Sequence, residues 1–230
     1  MEKAIAIITA RGGSKRIPHK NIKNFCGRPI IEYSIQAALS SGIFDEVMVS
    51  TDDEQIAEIA RKAGASVPFM RSSENANDYA TMDDVLREVL GQYRETGREF
   101  ETFCCIYPTA PFVTAKKLQD ARALLDTADS VMPVVAFSFP PQRCMILNEE
   151  GQLRMKWPEH AQTRSQDLEP YYHDCGQFYF CRTAPFYKYQ TTDMPNMVPM
   201  IMSELEVQDI DSPDDWEIAE LKYKKMLAKA

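Results

Sequence analysis

The chain has 230 residues, of which 44% are hydrophobic and 26% charged, and its formal net charge at pH 7 is −8. This length suits a single α/β domain with a substantial core, and the composition is that of an ordinary globular protein. The acidic balance argues against a nucleic-acid partner. Because no apolar run is long enough to cross a bilayer and the N-terminal residues do not resemble a signal peptide, we expect no membrane partner and a cytoplasmic location.

The cysteines form no metal-binding or redox motif. None belongs to a CxxC pair, and the three histidines stand at no zinc-binding spacing from them. We therefore expect reduced thiols, largely in the core, in a reducing compartment. The six are Cys26, Cys104, Cys105, Cys144, Cys175 and Cys181.

The first informative segment, residues 10–21, follows an apolar run at residues 4–8 that predicts a buried first strand. It reads Ala10-Arg11-Gly12-Gly13-Ser14-Lys15-Arg16-Ile17-Pro18-His19-Lys20-Asn21, and its cations are Arg11, Lys15, Arg16 and Lys20. The glycines let the backbone turn its N–H groups towards an anion, and clustered positive charge beyond a strand end suits a triphosphate. The glycine spacing is not that of a Walker A motif. We predict a phosphate site, the alternative being a solvated basic loop.

Strand and helix patterns then alternate up to residue 137. Predicted strands lie at residues 46–51, 67–70, 103–107 and 130–137, and predicted helices at residues 30–41, 54–64, 82–93 and 115–125. Such alternation with short connections is typical of an α/β fold with a mostly parallel sheet flanked by helices. The strand-to-helix loops would then share one edge of the sheet.

The alternation breaks after Phe139, and prolines and glycines interrupt an irregular or hairpin-like excursion up to Gly176. We expect the parallel pattern to resume with a strand at residues 177–181. The final helix should begin at Ser212, which suits an N-cap, with Pro213 in the first turn.

Two aspartates precede this last helix. Asp209 and Asp211 alternate around one isoleucine, so an extended backbone points both carboxylates to the same side. Carboxylates, phosphate oxygens and water are the ligands that Mg²⁺ prefers. The sequence therefore favours a magnesium site, the alternative being that Asp209 faces solvent and Asp211 caps the helix.

Two further segments could contact a ligand. Pro108-Thr109-Ala110-Pro111 follows a buried strand, at the edge where an open α/β sheet binds ligands, although it could simply be a stiff strand terminator. Residues 163–179 combine an arginine, amides, carboxylates, an imidazole and phenols, which suits a polyhydroxylated anion. Its alternative is a polar surface loop.

These sites, in this order, resemble the acylneuraminate cytidylyltransferases, which join CMP to nine-carbon α-keto sugar acids. The likeness runs from Ile5 to Trp216 and is most specific at residues 10–21 and 209–211. It implies a Rossmann-like nucleotide-diphospho-sugar transferase fold and one cytidylyltransferase domain over residues 1–230. It also implies a homodimer in which an inserted segment, at about residues 140–170, covers the partner's site.

The resemblance implies roles for individual residues as well. Arg11, Lys15, Asp209 and Asp211 would serve catalysis, and the two aspartates would hold Mg²⁺. The nucleotide-binding residues would be Ala10, Arg11, Gly12, Gly13, Ser14, Lys15, Lys20, Asn21, Arg71, Ala80 and Thr81, with CTP as a substrate. The sugar-acid-binding residues would be Tyr107, Thr109, Arg143, Arg164, Gln166, His173, Asp174, Gln177 and Tyr179. No residue is assigned as the general base.

Two departures from the family pattern bear on the sugar. Enzymes for N-acetylneuraminate usually carry Gln where this chain has Tyr107, and an arginine near the position of His173 and Asp174. The surrounding runs are similar to the branch of the family that acts on pseudaminic acid. The expected reaction converts CTP and pseudaminic acid to CMP-pseudaminic acid and diphosphate, for bacterial surface glycans or flagellin.

Three alternatives remain open from the sequence. The same chemistry could act on N-acetylneuraminate or a legionaminic-type acid. A non-catalytic nucleotide or sugar-acid sensor could have kept the fold, although it would not need both Asp209 and Asp211. A kinase is disfavoured because the Walker A spacing is absent.

Overall fold

A seven-stranded mixed sheet lies at the centre of the computed structural model, which describes residues 2–14 and 16–228. The strands are β1 (Ala4–Thr9), β2 (Asn24–Phe25), β3 (Arg28–Pro29), β4 (Glu46–Ser50), β5 (Thr102–Ile106), β6 (Ser130–Ala136), β7 (Met145–Leu147), β8 (Leu153–Met155), β9 (Tyr172–Asp174), β10 (Phe178–Arg182) and β11 (Met197–Ile201). The helices are α1 (Ile31–Ser41), α2 (Glu54–Lys62), α3 (Met82–Glu95), α4 (Ala115–Leu124), α5 (Thr183–Tyr189) and α6 (Pro213–Leu227).

The sheet has the order β11-β6-β10-β5-β1-β4, and β9 pairs with β6 outside this path. Strand β1 is parallel to both β4 and β5, and β11 is parallel to β6. The predicted α/β architecture is confirmed. The predicted helices and five of the six predicted strands agree in position with the structure to within about two residues.

Two predicted features are wrong. Strand β10 is antiparallel to both neighbours, so the parallel pattern does not resume at residue 177. The chain returns from the excursion without a crossover helix, and a strand that returns from the same edge must run antiparallel. The strand predicted at residues 67–70 is only an isolated bridge between Ser66 and Met48. Pro68 has no N–H to continue the pairing.

Helices cover both faces of the sheet. Successive residues of a strand point to opposite sides, so each strand contributes side chains to both packed faces. Ala6 and Ile8 of β1 pack with α1, α2 and α4 on one face. Ile5 and Ile7 pack with α3 and α5 on the other. This continuous burial explains why the first strand is a run of apolar residues without alternation.

A separate aromatic cluster attaches α6 to the short β2–β3 hairpin. Phe25 contacts Trp216 edge-to-face at 5.6 Å between ring centroids, and it contacts Tyr33 and Tyr223 in the same way. Ser212 caps α6 through a capping box with Asp215, which confirms the predicted N-cap. The residues just before α6 are thereby fixed beside the segment that follows β1.

The excursion after β6 contains the β7–β8 hairpin and short 3₁₀ turns. Many of its large apolar side chains are exposed: Phe137, Phe139, Met145, Ile146, Leu147, Leu153, Tyr171 and Tyr172. Over residues 2–14 and 16–228, no helix has the length and apolar character needed to span a bilayer.

Candidate active site

A cleft of about 410 Å³ opens at the carboxyl ends of β1 and β5, the edge where α/β sheets bind ligands. The predicted site residues on its walls are Arg11, Gly13, Ser14, Lys20, Asn21, Tyr107, Thr109 and Asp211. The cleft therefore brings together the basic loop, the proline-bounded loop after β5 and one of the two aspartates before α6. Lys15, the remaining predicted phosphate ligand of the loop, lies outside the described residues.

The basic loop is held by hydrogen bonds to its own residues and to the β4–α2 turn. The side-chain amide of Asn21 donates to the carbonyl of Arg11 at 2.9 Å, and the N–H of Gly12 donates to Asp52 Oδ1 at 2.9 Å. A Cβ at position 12 would lie 2.9 Å from Oδ2 and 3.0 Å from Cβ of Asp53, the N-cap of α2. Any larger residue at position 12 would press on this capping side chain, which favours glycine there. The neighbouring Ala10 is buried and donates its N–H to the Ser50 carbonyl.

The end of the loop contacts the segment before α6. Lys20 Nζ donates to the carbonyl oxygen of Ile210 at 2.7 Å and lies 3.4 Å from Asp211 Oδ1. Arg16 Nη2 lies 2.9 Å from the same oxygen of Asp211. Two cations thus neutralise one of the two predicted metal ligands.

Asp209 and Asp211 influence each other electrostatically. The pKa of Asp209 is raised from its ordinary value because the surrounding protein removes water, and the negative charge of Asp211 raises it further, while Lys20 opposes the shift. Among the described residues no set of three histidine, cysteine or acidic side chains could hold a metal. Two repelling carboxylates do fit a Mg²⁺ ion that takes its other oxygen ligands from phosphate and water. Asp211 is not a helix cap, since Ser212 has that position. The Asp209 side chain is exposed and lines neither cleft.

A second, smaller cleft of about 220 Å³ adjoins the first, and Thr9 and Arg11 line both. The predicted residues on its walls are Arg11, Arg71, Ala80 and Thr81. Arg71 is only 8% exposed and is fixed by Ser50, to which its Nε and Nη2 donate at 3.0 and 2.6 Å. Burial lowers the pKa of Arg71, an effect that the charges of Asp52 and Glu88 oppose. This arrangement gives the smaller cleft a rigid cationic wall.

Three of the predicted sugar-acid residues form a connected group beside the larger cleft. The rings of Tyr107 and Tyr179 meet at 5.9 Å between centroids, and the hydroxyl of Tyr179 donates to Asp174. Burial raises the pKa of Tyr107 to about 12 and raises that of Tyr179 strongly. Both phenols are therefore neutral hydrogen-bonding groups at physiological pH.

Gln177 lies next to this group in the chain. Its backbone carbonyl accepts the N–H of Tyr107 at 2.9 Å, and its side-chain amide donates to the carbonyl of Glu206 at 2.7 Å. Gln177 therefore links the cleft strand to the segment that leads to the aspartates.

Four other predicted sugar-acid residues lie in the excursion or on β9. Arg164 forms a two-point ion pair with Asp167, and Arg143 donates to Ser165 Oγ at 3.4 Å. The His173 ring packs on Phe137 at 4.8 Å, and Gln166 is exposed. In the part of the chain that the structure describes, none of the four lines either cleft.

Sequence reasoning missed several cleft residues. Thr9 lines both clefts, and Asn75, Asn77, Asp78 and Val85 line the smaller one. Arg16, Ile17 and Pro108 of the larger cleft belong to the predicted ligand segments 10–21 and 108–111 but had no individual role. Met82 of the smaller cleft directly follows the predicted Ala80 and Thr81. Asn75, Asn77 and Asp78 belong to a polar, turn-rich segment whose composition gave no reason to single them out.

The geometry can be compared with known proteins. The sequence matches the family described as Cytidylyltransferase over residues 5–208. The chain belongs to the cytidylyltransferase family. The predicted enzyme class is therefore confirmed, and its reaction class agrees with a cleft that joins cationic and acidic groups.

Two relatives match nearly the whole chain. A pseudaminic acid cytidylyltransferase of Campylobacter jejuni is 39% identical over 224 residues, which are 96% of this chain and 97% of the relative. A CMP-N,N'-diacetyllegionaminic acid synthase of Legionella pneumophila is 32% identical, over 94% of each chain. Among solved structures, a CMP:2-keto-3-deoxy-manno-octonic acid synthetase complexed with CTP has a TM-score of 0.68 at 19% identity. It covers 97% of this chain and 99% of its own, which confirms the nucleotidyltransferase fold.

Proposed function

We propose that this cytidylyltransferase transfers CMP from CTP to a nonulosonic acid, and that the acid is pseudaminic acid. The observation that carries the proposal is the meeting of the basic loop with Asp211 in one cleft, beside Tyr107 and Thr109. The relative at 39% identity, named for pseudaminic acid, supports the choice of sugar. The departures at Tyr107 and at His173 and Asp174 agree with that choice.

The reaction is an in-line displacement at the α-phosphorus of CTP. The anomeric hydroxyl of the sugar acid forms the new O–P bond and loses its proton, and the bond to the β-phosphate breaks as diphosphate leaves. Arg11, Lys15 and Lys20 hold the phosphates and balance the charge that builds on the leaving group. Gly13 and Ser14 line the same cleft, and the N–H of Ser14 donates to the carbonyl of Gly12 at 3.1 Å. Positioning and charge neutralisation thus account for most of the catalysis.

The proposal includes a Mg²⁺ ion held by Asp209 and Asp211. When bound, such an ion neutralises phosphate charge and lowers the pKa of an attacking hydroxyl. Arg16 and Lys20, which pair with Asp211, place two cations between the proposed metal ligand and the phosphates of CTP. The nucleoside end of CTP occupies the smaller cleft beside Arg71, Ala80 and Thr81.

The sugar acid binds at the other end of the larger cleft. Tyr107 and Thr109 line it, and Asp174 fixes the hydroxyl of Tyr179 beside Tyr107. The neutral phenol of Tyr107 can both donate to the carboxylate of the sugar acid and accept from a hydroxyl or amide of the sugar.

We further propose one domain over residues 1–230 that works as a homodimer. The exposed apolar side chains of the excursion, including Leu147 and Leu153 at 68% and 67% exposure, form a patch that a second copy would cover. Dimerisation would bring Arg143, Arg164 and Gln166 to the partner's sugar site.

Free thiols at all six cysteines agree with a cytoplasmic location.

The experiment that tests the proposal is release of diphosphate from CTP and Mg²⁺. Pseudaminic acid, N-acetylneuraminic acid and a legionaminic acid are offered separately to the purified protein. Turnover that prefers pseudaminic acid supports the proposal. Turnover that prefers another acid keeps the chemistry and refutes the sugar, whereas CTP binding without turnover on any of them would favour a non-catalytic sensor.

A further inference from the structure

The smaller cleft depends on a loop that has little regular structure of its own. Between α2 and α3, residues 71–81 form turns and bends, and Arg71, Asn75 and Ala80 from this loop line the cleft. A nucleoside bound there would contact a wall made of loop residues. The shape of that wall is therefore set by whatever fixes the loop to the rest of the protein.

The first half of the loop is fixed by one side chain of α3. The carboxylate of Glu88 accepts the N–H of Ser72 at 2.8 Å and the hydroxyl of Ser72 at 2.9 Å, and it also accepts the side-chain amide of Asn75. One carboxylate thus satisfies three donors from two loop residues. Hydrogen bonds to an ionised acceptor are stronger than those between neutral groups, so this attachment is firm.

The second half of the loop has a separate support. Asn77 Oδ1 accepts the N–H groups of Tyr79 and Ala80 at 2.7 and 2.9 Å, and Thr81 caps α3 through a capping box with Asp84. Loss of Glu88 would therefore release Ser72 and Asn75 without removing the cap of α3. This division makes Glu88 a local support of the loop and not of the whole fold.

Glu88 also acts on the charge of the smaller cleft. Arg71 precedes Ser72 in the chain, and its guanidinium is buried against Ser50. The negative charges of Asp52 and Glu88 both favour the cationic form of this arginine. The same carboxylate that fixes the loop thus helps to keep a cation in the wall of the cleft.

We propose that Glu88 is a positioning residue for the nucleoside of CTP: it holds Ser72 and Asn75 so that the wall of the smaller cleft is formed before the nucleotide binds. The inference rests on the proposed function for the identity of the nucleotide. Glu88 acts through the loop and does not touch the reacting phosphates, so its effect falls on nucleoside binding.

The test measures binding without turnover, by titration calorimetry of the full chain with CTP and, separately, with inorganic tripolyphosphate. Glu88→Ala should weaken CTP binding on the order of 10-fold, because three donors lose a charged acceptor. Binding of tripolyphosphate, which occupies only the larger cleft, should be unchanged. Glu88→Gln keeps the shape but removes the charge, and should weaken CTP binding less. Glu95→Ala, an exposed glutamate at the end of the same helix, is the matched control and should leave both affinities unchanged.

A double-mutant cycle with Ser72→Ala tests the contact itself. If Glu88 acts through Ser72, the effects of Glu88→Gln and Ser72→Ala on CTP affinity will be non-additive. Unchanged CTP affinity in Glu88→Gln and Glu88→Ala would overturn the inference, as would an equal loss for tripolyphosphate. If wild type binds CTP and releases no diphosphate with any sugar acid, the proposed reaction fails while the Glu88 assignment is still decided by these affinities. Absence of CTP binding by wild type would overturn both.

Discussion

Lys20 Nζ donates to the carbonyl oxygen of Ile210 at 2.7 Å and lies 3.4 Å from Asp211 Oδ1. Lys20 and Ile210 are 190 positions apart in the chain. The contact joins the phosphate loop to the proposed metal-binding segment, so that one lysine orients both. Its side chain is only 21% exposed, and this restriction limits the entropy that ligand binding would otherwise cost.

Replacement of Lys20 by methionine keeps the length of the side chain and removes its charge. We expect kcat/KM for CTP to fall on the order of 10²-fold, because a charge that stabilises the leaving phosphates is lost. Diphosphate release measures this. Lys116→Met is the matched control, since Lys116 is 76% exposed and pairs with Asp120 on the surface of α4. Near-normal activity of Lys20→Met would remove this residue from the proposed phosphate site.

Much of the fold was predictable because its signals are local. The apolar run of β1, the glycines of the loop and the N-cap at Ser212 each depend on neighbouring residues. The direction of β10 was not predictable, since a strand has the same side-chain alternation whichever way it runs. Helix α5 and strand β11 were missed because each is short and contains a proline, Pro185 or Pro199.

The candidate site also combines features that local sequence predicts with contacts that depend on distant residues. Arg11, Lys20 and Asp211 belong to short motifs that the sequence displays. The contact between Lys20 and Ile210 depends instead on the docking of α6 through Phe25 and Trp216, which no local pattern encodes. The attachment of the loop after Arg71 to α3 depends on a single glutamate within an ordinary helix.

The ionised carboxylate of Asp209 should lower the stability of the folded protein at neutral pH. Its pKa is raised above its ordinary value of 3.8 by partial loss of hydration and by the negative charge of Asp211. The stability associated with its protonated form is therefore lost as the pH rises through the pKa of the folded state. Asp209→Asn should therefore raise the thermal midpoint at neutral pH and have little effect below pH 3.8, where both states are protonated. It should also lower diphosphate release on the order of 10²-fold, because a metal ligand is lost.

Thermal unfolding at several pH values, with and without the substitution, checks this prediction. Asp126→Asn, at an exposed position beyond α4, serves as the control and should leave both the midpoint and the activity unchanged. A variant Asp209→Asn that is less stable at neutral pH, or that retains full activity with Mg²⁺, would contradict the assignment.

Tyr179→Phe tests the sugar end of the cleft. The substitution removes the hydroxyl that binds Asp174 and leaves the ring against Tyr107. We expect KM for the sugar acid to rise by about 10-fold, because the Asp174 carboxylate loses the donor that orients it beside Tyr107, with CTP affinity unchanged. Tyr189→Phe, on the exposed end of α5, is the control. An effect on CTP affinity alone would place Tyr179 outside the sugar site.

The phenol of Tyr107 gives a related expectation for pH dependence. Its pKa of about 12 keeps it neutral over the range in which the enzyme can be assayed. Any alkaline limb in the pH profile of kcat/KM should therefore be the same in wild type and in Tyr107→Phe, although the KM of the variant for the sugar acid should rise. A limb that disappears in Tyr107→Phe would show that this phenol titrates during the reaction.

Leu147→Glu tests the proposed homodimer. Leu147 of β7 pairs with Leu153 of β8, and both side chains are exposed on the hairpin of the excursion. A charge at the centre of an apolar interface would be buried without a partner, and we expect the dimer to dissociate to monomers in sedimentation velocity. The control is Leu221→Glu on α6, where the side chain is 67% exposed, close to the exposure of Leu147 but outside the excursion. It should leave the sedimenting mass of the protein unchanged. If the excursion completes the partner's sugar site, diphosphate release should fall together with the dimer fraction. Monomeric wild type, or a dimer unaffected by Leu147→Glu, would rule out this surface as the interface.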